Sequence, residues 1–238
     1  MTAHARKGTT MTRALRLAIA AFAAILPWQP ATAQETATPL TDEQVYVMMF
    51  VDQGRSYGYQ TMMARIQLET VKAQLARDAA ILAQNEELYA KDAIPLIELE
   101  ISQLKDAWNR EQLIVAEKSL DYVSAEYAAM TQMARHFGGE PMTVEDLYAS
   151  FHRGWEAGCD KGPDEVVAMK AWADYAEKAL ERARQLNSRG NLALSTVLER
   201  EAQLEIARSN YRHREAGLEK CRRVLFPSLD QIIAIGER

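Results

Sequence analysis

Residues 185–225 read QLNSRGNLALSTVLEREAQLEIARSNYRHREAGLEKCRRVL. After the break at Arg189-Gly190-Asn191, Val197, Leu204, Tyr211, Leu218 and Leu225 recur at steps of seven. Before it, Val166, Met169, Ala173, Ala176, Leu180 and Ala183 alternate three and four apart. Both patterns mark the seam of helices wound about one another, here with many small residues. Gly190 and Asn191 tolerate the left-handed backbone that ends a helix. Asn191 or Ser195 can then start the next one. The stretch therefore predicts an antiparallel hairpin with its tip at 189–191. Facing residues in such a hairpin lie equally far from the tip. Cys159 and Cys221 each lie about thirty residues from Gly190, so the same fold sets the two thiols opposite each other, ~45 Å down the arms. A Cys159–Cys221 bridge is expected, and the long loop it closes is worth ~4 kcal/mol in the chain-entropy model.

The first half of the chain repeats this logic. Thr41 or Asp42 can cap a helix beginning near Glu43, and Gly54 and Gly58 are candidate kinks within it. Leu68, Leu75, Leu82 and Tyr89 recur at steps of seven. KDAIPL interrupts, and Pro95 suits the first turn of a new helix. Ile101, Trp108, Val115, Tyr122 and Ala129 continue the seven-residue step until RHFGGEP stops it. ELYAKDAIPLIEL aligns with RQLNSRGNLALSTVL so that Leu88 meets Leu186, Lys91 meets Arg189, Ile94 meets Leu192 and Leu96 meets Leu194. That alignment suggests two hairpins from an old duplication.

Between them, Thr143 caps an expected short helix, EAGCDKGPDE reads as a loop, and Pro163 restarts the chain. No alternating Val/Ile/Thr runs suggest strands. The expectation is an all-α protein of two long antiparallel coiled-coil hairpins, 34–140 and 163–226. A short helix and linker at 141–162 joins them, and 227–238 is a tail. Packing of the hairpins into one four-helix bundle is left open.

Residues 1–33 read as a secretory signal. Arg6, Lys7, Arg13 and Arg16 precede the apolar run LAIAAFAAIL, which is shorter than the ~20 residues of a membrane-spanning helix. Ala31-Thr32-Ala33 fits a small-x-small cleavage site. The expected location is periplasmic, with association to the outer membrane as a variant. The full chain carries 28 basic and 33 acidic residues, a net charge of −5. The signal holds four of the basic residues and none of the acidic ones, so its removal makes the balance more acidic still. That argues against a nucleic-acid partner. No second apolar run is long enough for a membrane helix. The two cysteines fit an oxidising compartment.

Catalytic motifs are missing: there is no HExxH, GxSxG, phosphate loop or CxxC. No enzyme activity and no cofactor is expected. One constellation hints at a soft metal such as Cu(I). Met48 and Met49 would lie opposite His136 in the first hairpin, with Met133 one turn away. Methionine also fills irregular gaps between helices, and that reading is preferred.

The stretch from Leu186 resembles the hairpin tip and descending helix of TolC-like outer membrane efflux proteins. Gly190, Ser195, Val197, Leu198, Leu204, Ala207, Tyr211 and Leu218 match the family's Gly, Ser and VL-A---L--A---Y--A---L pattern in order. Glu201 or Ala202 stands where that family has its first alanine after VL. Residues 93–127 are a fainter second copy, also similar to the hairpins of periplasmic adaptor proteins. The strands of the TolC-like barrel and the lipoyl-like and β-barrel domains of adaptors have no counterpart here. The resemblance implies a hairpin tip at Arg189, Gly190, Asn191 and Ser195 that meets a protein partner. That partner would be an efflux adaptor, an outer-membrane component or a second copy. The implied function is non-catalytic coiled-coil assembly in efflux or secretion. Alternatives are a periplasmic copper-binding protein and a chaperone-like helical clamp.

Overall fold

A computed structural model describes residues 40–223 and 226–236. The expected signal segment, 1–33, lies outside the described residues. The described residues are mostly helical: α1 Asp42–Ala90, α2 Leu96–Phe137, α3 Val144–Ser188, α4 Leu194–Arg223 and the short α5 Leu229–Gly236. Among the described residues there is no strand.

Helix starts follow local chemistry. Thr41 forms a capping box with Gln44: its hydroxyl accepts from the Gln44 N–H at 3.3 Å, and its own N–H donates to Gln44 Oε1 at 3.0 Å. Thr143 Oγ1 accepts from the Asp146 N–H at 3.1 Å. Acidic residues stand in the first turns of α1, α2 and α3, where they complement the helix dipole.

The long helices pack on their neighbours in the chain, α1 on α2, α2 on α3 and α3 on α4, and α3 also touches the short α5. The four helices are therefore a single open layer, and among the described residues α1 does not close onto α4 as a four-helix bundle would require. One layer of helices cannot enclose a large side chain. Among the described apolar residues, those with no exposure at all are alanines, Ala168 and Ala207. In the α3·α4 seam Ala176, Leu180, Ala183, Val197, Leu204 and Ala207 form one cluster. In the α1·α2 seam the buried apolar cluster is smaller, Leu68, Val71 and Ala116, with Leu113 and Leu120 against it.

A charged group completes that first seam. Asp78 is only 4% exposed. Its carboxylate accepts from Arg77 Nε at 2.8 Å and Asn109 Nδ2 at 2.8 Å, and Lys105 Nζ stands 3.1 Å away. Burial by itself pushes the carboxyl upward, but these three donors outweigh it and hold its pKa at about 2.

The hairpins are joined along their length. Trp108 of α2 stacks on Trp172 and Tyr175 of α3 at 6.0 and 5.8 Å. Glu98 pairs with Arg182 at 2.6 Å and Glu100 with Lys178 at 2.9 Å.

One expectation is corrected. Residues 144–162 are not a separate short helix and loop; they are the first turns of α3, which runs unbroken through Pro163. Gly154, Gly158 and Gly162 are spaced four apart and so share one helix face. A Cβ at Gly158 would stand 3.2 Å from the Tyr122 ring, and one at Gly162 would come within 2.8 Å of Leu218 Cδ2. The glycines serve close approach of α2 and α4 rather than a turn. Lys118 of α2 donates to the Asp160 carbonyl at 3.0 Å and pairs with Asp164, bracketing the proline.

Candidate assembly surface

The two tips are the same loop. Lys91 and Arg189 end their helices, and Asp92 (φ 54°) and Gly190 (φ 76°) take the left-handed conformation. The Ala93 N–H reaches the Leu88 carbonyl at 2.9 Å, and the Asn191 N–H reaches the Leu186 carbonyl at 2.9 Å. Asp92 to Tyr89 and Gly190 to Asn187 repeat the shorter bond, both at 2.9 Å. This is the Schellman closure of a helix end. The next helices start at Leu96 and Leu194, a pair the sequence alignment also matched. Both leucines stand out of the tip, 50% and 62% exposed. The turn between α2 and α3 uses the same bonds through Gly139, φ 96°.

Arg189, Gly190, Asn191 and Ser195 are all exposed at the second tip. The Asn187 side chain steadies it by donating to the Leu192 carbonyl at 2.8 Å. Because the helices alternate in direction, the two tips lie side by side at one end of the layer. The Cys159–Cys221 disulfide is formed, with Cα atoms 5.7 Å apart. It lies between Gly158 and Pro163, where α3 has its weakest helix formers.

The methionine constellation is placed differently from expectation. Tyr46 and Phe50 meet Phe137, with ring centroids at 5.0 and 5.6 Å. Met48 is 61% exposed and Met49 is exposed beside it. Met130 is buried against Gly54, Met133 is half-buried, and the His136 ring packs edge-on to Phe137 at 5.4 Å with its Nδ1 unpartnered. Among the described residues no three His, Cys, Asp or Glu side chains form a metal-holding group.

The feature that sequence reasoning passed over is the outer side of α1. One stripe of this helix faces α2. A second, Val45, Met48, Tyr59, Met62 and Ile66, is exposed. Val45, Tyr59 and Ile66 fall on one seven-residue row, and Met48 and Met62 on the other. Asp52 and Arg55 occupy the rows between them and pair at 2.7 Å. The signal was present as a second heptad row beside the first.

No helix of the described residues is long and apolar enough to cross a membrane. No family model, curated protein or solved structure matches the chain.

Proposed function

We propose that the protein is a non-catalytic assembly element, a layer of antiparallel helices that another helix extends by packing along the outer face of α1. The observation that carries this reading is the exposed double row Val45–Ile66. A helix surface with two seven-residue apolar rows suits a coiled-coil partner, and the Asp52–Arg55 pair inside it favours one register over others. The paired tips supply a second contact, through Leu96, Leu194 and the exposed Arg189–Asn191 and Ser195. The leader-like N-terminus and the disulfide favour work outside the cytoplasm. The resemblance of the second hairpin to TolC-like proteins favours an export or secretion assembly.

Photo-crosslinking from Met62 and from Ser195 in the producing cell tests this. Protein adducts at Met62, lost when Tyr59 is changed to Glu, are the expected result. Adducts confined to Ser195 would move the contact to the tip, and no adduct at either site would defeat the proposal.

A further inference from the structure

A cleft of about 620 Å³ lies along the glycine face of α3. Tyr122 and Glu126 of α2 form one wall, and Arg214 and Cys221 of α4 form the other. Phe226 also lines the cleft, with its ring 5.9 Å from that of Trp155. The Glu126 carboxylate lies over Gly154, where an added Cβ would come within 2.7 Å of Oε1.

The other charges of the cleft satisfy each other. Glu165 takes Lys161 at 3.3 Å and Arg214 at 2.8 Å. Lys161 also sits 5.1 Å above the Tyr122 ring. Glu126 differs. The Tyr57 hydroxyl of α1 is near enough to lower its pKa, and among the described residues no Lys or Arg pairs with it. Burial raises its pKa from the ordinary value, and the Tyr57 hydroxyl opposes this only in part. A half-buried carboxylate beside aromatic rings lacks a positive charge.

We propose that this cleft binds an organic cation bearing an apolar group, with the positive centre against Glu126 and the apolar part among Tyr122, Trp155 and Phe226. Ring faces attract a cation as the carboxylate does. The volume is within the range of small-molecule sites. A bare metal ion would find one carboxylate and leave the rings unused. An anion would have to break Lys161 or Arg214 away from Glu165.

Isothermal titration of the oxidised protein with benzyltrimethylammonium, and separately with benzyl alcohol, tests the assignment. Saturable binding of the cation is expected, weakened about tenfold by Glu126→Gln, the factor that loss of one contact to a charged group corresponds to. Trp155→Leu should weaken it several-fold, and benzyl alcohol should bind wild type and Glu126→Gln alike. Equal cation affinity for wild type and Glu126→Gln overturns the proposal, as does benzyl alcohol binding as tightly as the cation. So does the lack of saturable binding at millimolar concentration. Thermal unfolding checks each variant. If Glu126→Gln does not fold, Gly154→Ala, which displaces the carboxylate and keeps its charge, serves instead: weakened binding supports the site and unchanged binding removes it.

Discussion

The α1·α2 hairpin and the α3·α4 hairpin close with the same backbone hydrogen bonds at Lys91–Ala93 and Arg189–Asn191, yet their arms are held by different means. The second has an alanine- and leucine-rich seam and a covalent bridge. The first has a smaller apolar cluster and a buried carboxylate with three donors. A helix end depends on a few residues of local backbone. A seam depends on how much apolar surface each arm supplies. Two hairpins can therefore share a tip while solving the packing of their arms separately.

The strongest way to break this difference is to remove the bridge. The loop it closes spans 62 residues of separation, so the double change Cys159→Ser/Cys221→Ser should cost about 4 kcal/mol. Denaturant unfolding measures the loss. Hydrogen exchange should rise in residues 144–223 much more than in 42–137.

The counterpart in the first hairpin is Asp78→Ala, which leaves the buried Asn109 amide without its acceptor and the partly exposed Lys105 without its pair. A loss of about 2 to 3 kcal/mol is expected, seen in the same unfolding experiment.

Acid should separate the hairpins more gently. The folded pKa of Asp78, about 2, lies below its ordinary value of 3.8. Its stabilisation is thus present above pH ~4 and lost as pH falls from there toward 2. The difference amounts to about 2 kcal/mol. Asp78→Asn should remove this part of the pH dependence, as followed by unfolding at several pH values.

The tips give the smallest effects, of opposite sign. Gly190→Ala places a side chain at φ 76° and should cost about 1 kcal/mol, whereas Asp92→Gly relieves φ 54° and should gain about as much. Paired thermal unfolding curves decide whether the two loops are equivalent in energy as well as in geometry.

The sequence carried the tips, the caps at Thr41 and Thr143, and the Cys159–Cys221 pairing, because each rests on local backbone or on height along a hairpin. Height is not rotation. Met48 stands near the level of Phe137, but Tyr46 and Phe50 turn inward there and Met48 turns out. Heptad rows say that a helix needs a neighbour, not which one, so an open layer and a closed bundle were indistinguishable. The stretch 156–165 reads as a loop because glycine and proline weigh as breakers. The four-residue spacing of Gly154, Gly158 and Gly162 instead marks a face pressed against Tyr122 and Leu218, where packing and the bridge override weak propensity. Glu126 gave no signal of its own, since its setting depends on Gly154 in a different helix.

An even number of long helices has a mechanical consequence. α1 begins at the end of the layer away from both tips, and α2 separates those ends by its 42 residues, roughly 63 Å of rise. A partner held at the twin loops and one held at the Asp42 end of α1 would therefore be kept about a helix length apart.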